Sequence, residues 1–162
     1  MDKVRLADVA HSPHPRGVTT VRRLVGAQLG TEHLDVTYYE IDPGDQFAGA
    51  YHRHLEREEL FLVRAGTATF QTEDGPVAVD AGQGIHFAPG EWQLGRNDGS
   101  ERVVALLIGA PKPLAPVEAY LHCPECESET RWLVHPEEQR SGESVDERKA
   151  CTRCGCRDGN GG

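Results

Sequence analysis

Two histidines, His52 and His54, stand two residues apart, and Glu59 follows the second by five. Side chains alternate across a β-strand, so histidines at i and i+2 aim both imidazoles at one face. A four-residue turn after His54 lets a second strand open at Glu59 and set its carboxylate beside the two rings. Two imidazoles and a carboxylate make a facial ligand set that suits Fe, Mn, Ni or Zn. Such a set leaves positions open for water or a substrate.

A second constellation closes the chain. Cys123-Pro-Glu-Cys126 and Cys151-Thr-Arg-Cys154 are two Cys-x-x-Cys hooks with 24 residues between them. Two such hooks close a tetrahedral tetrathiolate site, the usual structural arrangement for zinc. All five cysteines, Cys156 included, lie in this segment, and the first 122 residues have none. A disulfide framework would spread through the chain, so the clustering points to a local metal site in a reducing compartment, the cytoplasm. A redox Cys-x-x-Cys normally occurs once and opens a helix, which disfavours that alternative. Cys156 is a spare thiol on this reading, and His122 and His135 are unneeded as ligands.

The elements that must position these groups are short strands. Residues 33–41 alternate Leu34, Val36 and Tyr38 on one face and stop at the turn Asp42-Pro43-Gly44-Asp45. Strands are expected at 48–54, 59–64, 67–72, 77–79, 85–88 and 102–108, with a hairpin signal at Glu73-Asp74-Gly75. On the strand after the turn, Glu59, Phe61 and Val63 share the inward face. Leu60 and Leu62 face the other way and are also apolar, as in a sandwiched strand or a dimer contact. No window shows a helical period of helical length, so the class is all-β, a sandwich or barrel. A proline-rich stretch, 110–118, separates this domain (1–109) from the cysteine segment (119–157). Within that segment 137–148 is a polar hairpin tip, and 158–162 is a flexible end.

The spacing His-x-His-x4-Glu-x6-Gly, met by His52, His54, Glu59 and Gly66, resembles the first motif of the cupins. Residues 82–97, GQGIHFAPGEWQLGRN, resemble the second, with Gly82, Pro89, Gly90 and Asn97 at or next to the family's positions. The resemblance implies a double-stranded β-helix (jelly-roll) barrel, dimeric, with a metal near its mouth. The family's third histidine falls at Gln93, an amide and a poorer donor than imidazole. Gln93 is then the fourth ligand, or a water replaces it. His86, one strand away, contributes if its side chain points inward, and a metal-free barrel that keeps two histidines is the alternative. Trp92 either walls the pocket mouth or packs structurally. Residues 119–157 resemble a zinc ribbon, a small unit with few apolar anchors that zinc would stabilise.

Charge and composition bound the rest. The chain has 162 residues, 38% of them hydrophobic, which provides for one ordinary domain and a small appendage. Its net charge of −9 is spread over both parts and argues against a nucleic-acid partner. The longest apolar run, 103–108, is far shorter than the roughly 20 residues a membrane span needs. The N-terminus mixes charges of both signs and lacks the apolar core of a secretory signal. Arg53, Arg57 and Arg64 are expected in surface ion pairs with Glu56 and Glu58.

The expected function is a metal-binding barrel that takes up a small molecule, as a sensor or binding module. The zinc ribbon is then structural or holds a protein partner. The alternative is a metal-dependent oxygenase or isomerase. An isomerase needs a general base, for which Glu91 and His86 are the weak candidates.

Overall fold

The computed structural model describes residues 1–14, 16–112, 116–135 and 148–157. The expected hairpin tip therefore lies outside the described residues apart from its last position, as do 158–162 and 113–115 of the proline-rich stretch.

The molecule is all-β, a jelly-roll barrel with, among the described residues, one 3-10 turn (Leu6–Asp8) and one short α-helix. β1 (Val21–Leu24) leads into α1 (Val25–Leu29), one turn closed by Gly30 in the left-handed conformation. β2 (Asp35–Ile41), β3 (His52–His54), β4 (Glu58–Ala65), β5 (Thr67–Thr72) and β6 (Gly75–Asp80) follow. β7 (Gly84–Phe87), β8 (Leu94–Arg96) and β9 (Val103–Ala110) complete the barrel. β10 (Val117–Cys123), β11 (Ser128–His135) and β12 (Arg148–Cys151) carry the cysteines. No described helix is long and apolar enough to cross a membrane.

Five strands form one sheet in the order β1-β2-β9-β4-β7, and three form another, β6-β5-β8. Between them lies one aromatic-rich core: Tyr39, Ile41, Phe47, Phe61, Val63, Phe70, Phe87, Val103 and Ala105. On β4, Glu59, Phe61 and Val63 face inward as expected, and Leu60 and Leu62 are half-buried. On β2 the core face is the one opposite Val36 and Tyr38. Thr37, Tyr39 and Ile41 are buried, and Val36 and Tyr38 are only half-covered. The apolar face could not be told from the other because both sides of this strand carry large side chains.

Asn97 is 1% exposed and latches the turns together. Its amide donates to the carbonyls of Ile41 (3.0 Å) and Glu101 (2.7 Å), and its side-chain oxygen accepts from the Gly99 N–H. Gly66 joins β4 to β5 at φ 69°, and a Cβ there would lie 2.7 Å from the Arg102 carbonyl oxygen, so only glycine fits.

The third sheet crosses the expected domain boundary. Its order is β12-β11-β10-β3, so the cysteine-bearing strands continue directly from the histidine strand. His52 stands opposite Ala119, Ala119 opposite Trp132, and Trp132 opposite Cys151. Residues in direct register share a face, so this row runs over one surface from a histidine to a thiol, roughly 14 Å at three strand spacings.

Candidate metal centres

β3 has three residues. Its partner along one edge is β10, and on the other His52 bridges Gln93 through reciprocal backbone hydrogen bonds of 2.8 and 3.1 Å. The Pro89-Gly90 turn closes its end, the Gly90 N–H donating to the His54 carbonyl at 2.7 Å. Pleating sends His52 and His54 to one side of this strand and Tyr51 and Arg53 to the other.

Ligand atoms of His52, His54 and Glu59 converge within 4.8 Å of one another. His52 Nδ1 lies 2.9 Å from the Ala50 carbonyl, to which it donates, leaving Nε2 as a lone pair turned into the site. Gln93, 3% exposed, puts its amide nitrogen 3.2 Å from that Nε2 and donates to Glu59 Oε2 at 3.0 Å. His54 Nε2 lies 3.2 Å from Glu59 Oε1. Burial lowers the pKa of His52, favouring the neutral ring a metal requires. Burial alone would raise the Glu59 carboxyl. The hydrogen bond from His54 and the charges of His54, His52 and Arg57 outweigh that and hold it at about 2.

These donors fit a divalent cation. Gln93 Oε1 is buried with no hydrogen-bond partner, and turning the amide over would replace its nitrogen in the site by this free oxygen.

Arg57 departs from expectation. It is 3% exposed and reaches inward, with NH1 2.7 Å from Asp35 Oδ2 and Nε 3.4 Å from Glu59 Oε1. Its guanidinium lies against Gly109, where any Cβ would collide with it. A glycine inside the apolar β9 run signals such an approach in the sequence, though not which side chain makes it. Arg53 likewise leaves Glu56 and Glu58 and pairs with Glu118 at 2.7 Å.

His86 stands on the outer face, its Nε2 2.9 Å from Glu58 Oε2 with the side chain half exposed. It does not reach the ligand set. Glu91 caps the Ala88 N–H at 2.7 Å. Trp92 stacks on Tyr51 (5.3 Å between centroids) and packs at a tilt against Tyr120 (4.9 Å), away from the histidine face, which is the structural reading of this residue.

In the C-terminal sheet the thiols of Cys123, Cys151, Cys154 and Cys156 gather within 4.8 Å. Cys123 Sγ is 3.7 Å from Cys154 Sγ and 3.3 Å from Cys156 Sγ. Four sulfurs at about 2.3 Å from one zinc stand about 3.8 Å apart, so the cluster has the size of a tetrathiolate cage. Cys126, expected as a ligand, packs against it, and Cys156, expected as spare, lies inside, giving five thiols for four positions. The Thr130 hydroxyl, 3.3 Å from Cys151 Sγ, lowers that thiol to about 6, with the Cys154 and Arg153 amides assisting against burial. His122 and His135 are not among the clustered ligands.

The Cupin_2 family, described as a cupin domain, matches residues 37–109. A sugar phosphate isomerase of the cupin superfamily from Silicibacter pomeroyi is similar in structure, at 16% identity and a TM-score of 0.68, over 93% of each chain. The polyketide cyclase RemF from Streptomyces resistomycificus is similar at 20% identity and a TM-score of 0.64, over 78% of this chain and 90% of that one. At these identities the likeness is one of fold. No curated protein matches the chain in sequence.

Proposed function

We infer that this chain, a cupin barrel continued by a thiol-bearing sheet, is a metal-dependent binder of a small molecule. The observation that carries it is the convergence of half-buried His52 and His54 on buried Glu59, with buried Gln93 beside them. A divalent transition metal bound there supplies a Lewis acid with positions open to a ligand's oxygen atoms. The protein's own residues orient that chemistry: Ala50 fixes the His52 ring, and Arg57 steadies the Glu59 carboxylate. Neither base suggested by the sequence stands in the site, which favours binding over an isomerase. The fold neighbours include an isomerase and a cyclase, so the scaffold alone does not decide. The thiol cluster is proposed to hold a structural zinc.

Elemental analysis of protein purified without chelators or an affinity tag tests this. The expected result is zinc plus a second metal, with His52→Ala/His54→Ala losing only the second. Zinc in the thiol cluster's share alone, unchanged in that variant, would overturn the barrel centre.

A further inference from the structure

Five of the described arginines pair with carboxylates: Arg53, Arg57, Arg96, Arg102 and Arg131. Arg57 has Asp35 and Glu59, Arg53 has Glu118, and Arg102 has Glu40 and Asp42. Arg22 does not follow this pattern. It lies on β1 directly opposite Tyr39 of β2 and so projects from the same face of the sheet. That face is the barrel interior, because Thr37, Tyr39 and Ile41 are its buried residues. Its neighbour Arg23 points to the other side, where it binds the Val9 carbonyl of the N-terminal segment. The Arg22 charge acts on the Tyr39 phenol across this register, and the Arg22 Nε is buried with no hydrogen-bond partner.

A guanidinium donor taken out of water and left unmet costs free energy, which a bound anion would offset. Arginine is also the side chain best shaped to receive a carboxylate or phosphate through two oxygens. Tyr39 is 5% exposed, and its phenol is subject to the charges of Glu59 and Arg57 as well as Arg22. Arg22, Tyr39 and Glu59 therefore face one interior. Phe47, Phe61, Phe70 and Phe87 fill the barrel beside them and keep any ligand small.

We propose that the barrel's ligand is a small oxyanion-bearing molecule, a carboxylate or a phosphate ester, whose anionic group is received by Arg22 and the Tyr39 hydroxyl. The other end of that molecule meets the centre formed by His52, His54 and Glu59. The second half of this statement rests on the proposed metal centre, and the first half does not. The protein's net charge of −9 makes such a cation in the interior the local exception that selects an anion.

The test titrates succinate and 2-phosphoglycolate, by calorimetry, into full-length protein both metal-free and loaded with manganese(II). The two probes separate carboxylate from phosphate recognition. Wild type is expected to bind one of them, Arg22→Met to weaken that binding about tenfold or more, and Arg22→Lys to retain part of it. Tyr39→Phe should fall between wild type and Arg22→Met. Manganese affinity should be the same in wild type and Arg22→Met, which also shows that the variant is folded. Arg22-dependent binding unaffected by manganese would uphold the arginine site and remove the metal from the ligand's other end. Equal affinity in wild type and Arg22→Met, or no binding of either probe by wild type, would overturn the proposal.

Discussion

In the proposed barrel centre, Gln93 is the residue expected to set the strength of metal binding. An imidazole at this position would offer a nitrogen lone pair in place of a weaker amide oxygen and would end the hydrogen bond that now occupies Glu59. Gln93→His is expected to tighten manganese or zinc binding roughly tenfold, measured by competition with a chromogenic chelator. An unchanged constant would mean that residue 93 does not face the metal.

Protonation provides a second check on the same residues, in metal-free protein. The Glu59 carboxyl lies near 2 when folded against an ordinary 4.5, so the unfolded chain takes the proton first. Its contribution to stability is present above about 4.5 and is lost as pH falls toward 2. His52, lowered by burial from an ordinary 6.5, costs stability in the same direction, beginning below that value. Urea midpoints should therefore decline below about pH 6.5 and more steeply below about 4.5, with Glu59→Gln removing the steeper part. A wild-type curve without that lower limb would contradict the electrostatic account of Glu59.

At the scale of elements, what the sequence disclosed followed strand parity and short spacing. His52 and His54 share a face because of pleating, and Glu59 reaches them because only a turn intervenes. Parity also set Phe61 and Val63 inward. It could not set β2, where both faces carry large side chains, and it could not tell that His86 points outward or that Arg57 points inward. Those depend on which strands lie on either side. Nor does any local pattern reveal that β10 pairs with β3, some 65 residues away; that register is decided by tertiary packing.

The pairing has an energetic consequence. β3 is too short to hold itself, and β10 supplies its one continuous edge, reinforced by the Arg53–Glu118 ion pair and the Tyr120 N–H donating to the Tyr51 carbonyl at 2.9 Å. The Cys123→Ser/Cys151→Ser variant, which should unload the thiol cluster, is thus expected to weaken manganese binding in the barrel by about tenfold, although no thiol belongs to that centre. Retention of full barrel affinity would show that the barrel alone fixes β3.

Over the whole molecule, Trp132 lies in the row between the two proposed centres, 3% exposed, with its indole N–H donating to the Leu121 carbonyl at 3.2 Å. The chain has two tryptophans, so Trp92→Phe leaves Trp132 as the only indole emitter. Cobalt(II) should quench that emission in two resolvable steps, one lost with His52→Ala and one with Cys151→Ser. A single step insensitive to His52 would mean that the barrel centre does not fill or lies out of range.

The continuous row from His52 through Ala119 and Trp132 to Cys151 implies an order of loading. Thiolates compete for zinc better than two imidazoles and a carboxylate do, so under scarcity the C-terminal cage fills first. Because its sheet also carries the histidine strand, filling the proposed cage would set β3 in place and so prepare the histidine site for its own ion. If both proposed centres fill in this way, a protein starved of zinc would hold its barrel ion more weakly at any concentration of that ion. The supply of one element would thereby govern the use of another.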